Sequence, residues 1–169
     1  MLGGSTDFCI EGVHMATILI VDDDAAFLDS LHDMLSKPGY DVLRASTGPD
    51  AIRLLETHRE AIDLAIVDLS LPGLNGFEII GAVSRRPNSV KLIATTGVYR
   101  DNQLEVAGVL GAHAAIRKPS PGSPLPEQEW LSTVRRLIGS AQGEKSARAG
   151  QGSATQTKPE SPNGKERNQ

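Results

Sequence analysis

Short runs of consecutive apolar residues alternate along the chain with longer stretches whose apolar residues recur at helical spacing. The runs are Thr17–Val21, Asp41–Arg44, Leu64–Val67, Leu92–Thr95 and Ala114–Arg117. This alternation predicts βα units and a parallel sheet. The first, third and fourth runs are apolar on successive residues, as expected of central strands covered on both faces, whereas the second is mixed and predicts an edge. Helical spacing appears in Phe27, Leu31, Met34 and Leu35, in Ala51, Ile52 and Leu55, and in Phe77, Ile80 and Val83. A fourth helix, around Leu104 and Ala107, is weaker because Gly108 and Gly111 lower helix propensity, and it is expected to be the most mobile. The fifth is marked by Trp130, Leu131, Val134, Leu137 and Ile138. Pro49 stands at an expected first helical position behind Thr47 and Gly48, and Asn75 precedes Glu78 by a capping-box interval.

The two ends lack such patterning. Residues 1–14 show no period and read as a disordered leader; residues 140–169 are Gly, Ser, Gln, Asn, Pro, Lys and Glu with little that is apolar, and read as a disordered polar tail. Residues 15–139 are the expected domain, and no second folded domain is expected beyond Gly139. Tail charges such as Lys145, Arg148 and Lys158 are scattered, so a solubilising role is expected there. The net charge of −4 and the lack of a basic stripe argue against a nucleic-acid partner. Cys9 is the only cysteine, so no intrachain disulfide can form. No apolar run reaches the roughly 18 residues of a membrane span, and no signal-peptide pattern opens the chain. A cytoplasmic location without membrane insertion follows as an expectation.

In a doubly wound sheet, ligands lie beyond the carboxyl ends of the strands, so the residues that leave each strand are informative. Asp22, Asp23 and Asp24 follow the first run, Asp68 the third, Thr95 and Thr96 end the fourth, and Lys118 with Pro119 follows the fifth. Carboxylates gathered at one rim would repel by about 4 kcal/mol per pair at 4 Å and an effective dielectric near 20, unless a cation neutralises them. Oxygen ligands with no nearby His or Cys select a hard cation, and a shallow, watered rim favours Mg²⁺ over Ca²⁺. Aspartate is a known phosphoryl acceptor, and Asp68 stands alone at the end of a central strand, so it is the candidate nucleophile. Lys118 would then pair with one phosphoryl oxygen and Thr96 would hydrogen-bond another. Each residue alone has a duller reading: a helix cap for the acidic run, a turn residue for Asp68, plain strand exits for Thr96 and Lys118. Their joint placement at four strand ends is what favours a phosphoryl site. The histidines His14, His32, His58 and His113 have no ligand spacing and read as surface or packing residues.

With Ile-Leu-Ile-Val-Asp-Asp-Asp at the first strand, Asp-Leu-Ser-Leu-Pro-Gly-Leu-Asn-Gly from Asp68 to Gly76, Ala-Thr-Thr-Gly around Thr96 and Arg-Lys-Pro ending at Pro119, the chain resembles the receiver domain of bacterial two-component response regulators. The resemblance covers about Ala16 to Gly139. It implies a flavodoxin-like (βα)5 three-layer sandwich with a parallel sheet in the order 2-1-3-4-5. It also implies Mg²⁺ held by Asp22, Asp23, Asp68 and the carbonyl of Ser70, a phosphoryl group delivered by a sensor histidine kinase or phosphotransfer protein, and a cis Lys118–Pro119 bond. Output would pass by partner binding or phosphorelay, with the partner on the face made by the fourth helix, fifth strand and fifth helix.

Two positions depart from the family. Ala115 stands where an aromatic residue usually swings inward as the threonine moves, with Tyr99 the nearest substitute, and Pro-Ser-Pro-Gly-Ser-Pro-Leu-Pro lengthens and stiffens the approach to the last helix. Both touch the output face. A stand-alone phosphorylated switch, not an enzyme beyond acting on its own Asp68, is therefore the first expectation. A degenerate receiver that binds without phosphorylation is an alternative, motivated by Ala115. A haloacid-dehalogenase-like phosphatase with Asp22 as nucleophile and Asp24 as acid/base is a third, although Ala26 occupies a place usually held by Thr or Val. No glycine-rich turn follows the first strand, which argues against a dinucleotide site.

Overall fold

A computed structural model of the chain describes residues 15–73, 75–85, 90–97 and 102–151, with 141–151 as backbone only. Strands β1 (Thr17–Val21), β2 (Asp41–Ala45), β3 (Ile62–Asp68), β4 (Lys91–Thr96) and β5 (Ala114–Arg117) alternate with helices α1 (Ala25–Ser36), α2 (Gly48–Thr57), α3 (Gly76–Ser84), α4 (Gln103–Val109) and α5 (Glu127–Gln151). The strands form one parallel sheet in the order β2-β1-β3-β4-β5. Every residue of β1, β3 and β4 is buried, while β2 mixes exposed, half-buried and buried positions, as the composition of the runs predicts.

Alternation along the central strands divides the core in two. Leu19, Val21, Ala65, Val67, Leu92 and Ala94 face α2, α3 and α4, packing on Ala51, Leu55, Ile80, Val83 and Ala107. Ile18, Ile20, Leu64, Ile66 and Ile93 face α1 and α5, packing on Leu31, Leu35, Trp130, Val134 and Leu137. Burying a side chain of this kind contributes about 1.5–3 kcal/mol, so two filled faces hold the central strands and fix the rim they share.

Several boundaries differ from expectation, each for a local reason. The β3 strand begins two residues earlier than its apolar run because Asp63 is the extra residue of a bulge, and its Oδ2 accepts the Thr17 amide at 3.0 Å. Thr47 is the N-cap of α2 and Gly48 its first residue, which makes Pro49 the second rather than the first helical position. Asn75 and Glu78 form the expected reciprocal capping box, at 3.1 Å in each direction. Helix α4 is short and its N-cap residue, Asn102, makes no side-chain capping bond. The backbone of α5 continues past Gly139 to Gln151, so helix occupies part of the stretch expected to be disordered; Ala141, Glu144, Lys145, Ala147, Arg148 and Ala149 are good helix formers despite being poor core formers. Residues 1–14 and 152–169 lie outside the described residues. Among the described residues, no helix is long and apolar enough to cross a membrane.

Candidate functional site

The parallel ladder runs on beyond the strands and aims the site. Backbone bonds from Asp22 to Ala45 (3.0 Å), from Leu69 to Thr95 (2.9 Å) and from Lys118 to Thr96 (3.0 Å) fix the residues at the rim in register. Asp68 is the last residue of central β3 and is buried, with Oδ1 accepting the Ser70 amide at 3.0 Å. Asp22 is equally buried, and its Oδ1 accepts the Asp24 amide at 2.9 Å. Asp23 is exposed and completes a group in which carboxylate oxygens of Asp22, Asp23 and Asp68 lie within 4.8 Å of one another.

Lys118 lies between the two buried acids. Its Nζ is 2.6 Å from Asp22 Oδ2 and 2.6 Å from Asp68 Oδ2, and it donates a well-aligned hydrogen bond to Asp68. Asp22 Oδ2 receives charge from the ammonium but no well-aligned hydrogen bond among the described residues. Burial raises the Asp22 carboxyl above its ordinary 3.8, and the Lys118 ammonium and Asp24 amide offset only part of the rise. Burial also works to lower the Lys118 ammonium, yet the close carboxylates of Asp22 and Asp68 outweigh it and hold Lys118 above its ordinary value. A buried, under-satisfied carboxylate oxygen in an all-oxygen donor set fits a hard divalent cation.

Of the expected site residues, the structure brings Asp22, Asp23, Asp68 and Lys118 together and places Ser70 beside them through its amide. Thr96 is at the same rim, but its hydroxyl donates to Gln103 Oε1 on α4 at 3.2 Å. The Lys118–Pro119 bond is trans, as are all the described peptide bonds, contrary to the cis bond implied by the resemblance; Lys118 reaches both acids from the backbone position that its bond to Thr96 sets. Ala115 is exposed on β5, and Tyr99 lies outside the described residues.

Two contributors escape a reading of motifs, and a third stands inside one with its role unmarked. Phe27, which helical spacing assigns to the core, has its ring centroid 4.9 Å from the Lys118 ammonium. Gln103 holds Thr96, and no spacing signal marks it. Gly76 opens α3 directly against the backbone that follows β3: a Cβ there would overlap the carbonyl of Asp68. Its place after Asn75, at the start of a helix rather than its end, was the available signal.

Known proteins share this fold. Residues 18–128 match the family model of the response regulator receiver domain. The chain is 32% identical over 111 residues to the transcriptional regulatory protein AfsQ1 of Streptomyces coelicolor, covering 66% of this chain and 48% of that protein. It is 30% identical over 105 residues to the response regulator SaeR of Staphylococcus aureus, covering 62% of this chain and 45% of that protein. The matches thus span about half the length of these two relatives. Among solved structures, it is similar to a CheY-like response regulator receiver domain protein of Methanospirillum hungatei, with 30% identity and a TM-score of 0.68 over 77% of this chain and 98% of that one. The signal receiver domain of a DNA-binding response regulator from Colwellia psychrerythraea gives 29% identity and a TM-score of 0.64 over 73% and 98%.

Proposed function

We propose, because the chain belongs to the response regulator receiver-domain family, that Asp68 accepts a phosphoryl group from a sensor histidine kinase or phosphotransfer protein. The observation that carries this reading is the convergence on one buried carboxylate: Asp68 closes central β3, Lys118 lies 2.6 Å from its Oδ2, and oxygens of Asp22 and Asp23 lie within 4.8 Å. Asp22, Asp23, Asp68 and the carbonyl of Ser70 would hold Mg²⁺, which supplies charge that polarises phosphoryl oxygens and screens an anionic nucleophile. The Asp68 carboxylate forms the new oxygen–phosphorus bond as the phosphorus–nitrogen bond of phosphohistidine breaks, its electron pair leaving on the imidazole. Lys118 exchanges a carboxylate partner for a phosphoryl oxygen. Thr96 leaves Gln103 to donate to another phosphoryl oxygen, which changes the tie between β4 and α4.

Output, in this reading, passes to a partner protein at the face of α4, β5 and α5, where Val106, Val109, Leu110 and Ala115 are exposed. Phosphorelay to a further histidine is the other route for the phosphoryl group. Water hydrolysis of the acyl phosphate resets Asp68, so the chain acts on itself. A cytoplasmic setting suits this role and the single cysteine.

The phosphatase alternative needs Asp24 as a free acid/base. Asp24 Oδ1 instead accepts the amides of Ala26 at 3.0 Å and Phe27 at 3.2 Å and caps α1. The test is transfer of radiolabel from a phosphorylated histidine-phosphotransfer protein, alongside p-nitrophenyl phosphate hydrolysis. Label on the wild type that is lost in Asp68→Ala supports the receiver reading. Ester turnover that survives Asp68→Ala and dies in Asp22→Ala overturns it in favour of the phosphatase. No label and no turnover leaves a phosphorylation-independent binding module.

A further inference from the structure

The ammonium that neutralises the site also rests on a ring. Lys118 Nζ lies 4.9 Å from the Phe27 centroid, within the roughly 6 Å reach of a cation–π contact. Phe27 is the third residue of α1. Its amide donates to Asp24 Oδ1 at 3.2 Å, and the Asp24 amide donates in turn to Asp22 Oδ1 at 2.9 Å. The ring is therefore anchored on the loop that carries the acids and covered by the cation that pairs with them.

The Phe27 ring also meets Trp130, with centroids 6.0 Å apart and planes at 67°, an edge-to-face contact. Trp130 is fully buried in the first turn of α5, and its indole Nε1 has no hydrogen-bond partner among the described residues. Packing rather than a hydrogen bond sets the position of this indole, and the Phe27 ring is one of the groups it packs on. A phosphoryl group on Asp68 requires Lys118 to leave its place between Asp22 Oδ2 and Asp68 Oδ2 for an oxygen farther out.

We propose that Phe27 positions the Lys118 ammonium and passes its displacement to Trp130, so that the start of α5 senses the phosphorylation state of Asp68. The inference rests on the phosphoacceptor reading above. It supplies a route from site to helix in a chain whose β5 carries Ala115 where the family has a ring.

Trp130 is the only tryptophan, so emission excited at wavelengths that Tyr40 and Tyr99 do not absorb reports it alone. Emission and intact mass are followed in the same samples after Mg²⁺ and acetyl phosphate are added, with Mg²⁺ alone as baseline. The wild type is expected to change emission with the same time course as the gain of one phosphate. Phe27→Leu is expected to gain phosphate roughly two- to fivefold more slowly, the size of one partly exposed cation–π contact, and to lose the emission response. Phe27→Tyr restores both, and Phe27→Met replaces the leucine variant if the latter fails to fold. A merely structural role for Phe27 would shift the baseline emission but keep the response. Phosphorylated wild type with unchanged emission, or a full response in Phe27→Leu, overturns the inference while leaving Asp68 as acceptor. Absence of any mass gain overturns the acceptor reading and the inference together.

Discussion

Replacing Lys118 by methionine removes a charge from between two buried acids while keeping a stem of similar length over Phe27. The carboxylate oxygens lie within 4.8 Å of one another, at which separation two unit charges repel by about 3.5 kcal/mol at an effective dielectric near 20. Removing one partner of a buried ion pair costs about 3–5 kcal/mol. Proton uptake limits that cost, since protonating a carboxyl of ordinary pKa 3.8 at pH 7 takes about 4 kcal/mol, and burial has already raised Asp22. Lys118→Met is therefore expected to destabilise the metal-free fold by about 3 kcal/mol at pH 7. A divalent cation at 100 times its dissociation constant stabilises by about 2.7 kcal/mol, and the variant, with no ammonium competing for the acids, binds it more tightly than the wild type. Both proteins gain from the ion, so magnesium should narrow the gap by about 1.4 kcal/mol for each tenfold difference in affinity. Urea unfolding followed by Trp130 emission, with EDTA and with Mg²⁺, measures both quantities. A variant as stable as the wild type in EDTA, or a gap that Mg²⁺ leaves unchanged, would refute the electrostatic reasoning.

Other perturbations probe different parts of the site. Because the folded pKa of Asp22 is raised, the folded state holds a proton the unfolded chain has lost as pH climbs above 3.8, so this group's contribution falls through that window and is unfavourable at neutral pH. Asp22→Asn should be the more stable protein at pH 7 in metal-free buffer, by a margin that shrinks toward pH 4, and should lose Mg²⁺ stabilisation; thermal melts across pH check both. Gly76→Ala forces a Cβ onto the Asp68 carbonyl and should cost about 3 kcal/mol in urea unfolding, with slower phosphorylation as Asp68 shifts. Gln103→Met removes the acceptor that holds Thr96 in the resting arrangement, and acetyl phosphate labelling should quicken by roughly two- to tenfold, the worth of one net hydrogen bond. In a Thr96→Val background the same change should have no effect.

The parts of the fold that sequence reveals are those fixed by burial. Consecutive apolar residues in β1, β3 and β4 and mixed ones in β2 follow directly from which strands are covered on both faces. The acids and the lysine were legible because they leave successive strand ends. Polar residues inside strands hid the true starts of β3 and β4: Asp63 and Lys91 are buried, although nothing in the local pattern says that the amide of Thr17 awaits a carboxylate. Partners far apart in sequence were equally hidden. Phe27 at helical spacing looks like any core residue until β5 brings Lys118 over its ring, and Thr96 shows its hydroxyl type but not that Gln103 holds it. The end of α5 misleads for the opposite reason, because a stretch unable to form a core can still continue a helix already begun.

The most direct test of phosphoryl acceptance at Asp68 is intact mass after incubation with acetyl phosphate, comparing wild type with Asp68→Ala, each with Mg²⁺ and with EDTA. Gain of one phosphate by the wild type in Mg²⁺ alone, and by neither Asp68→Ala sample, is the predicted result. A gain that survives Asp68→Ala, or that is indifferent to magnesium, would contradict the assignment of Asp68 and its neighbouring acids.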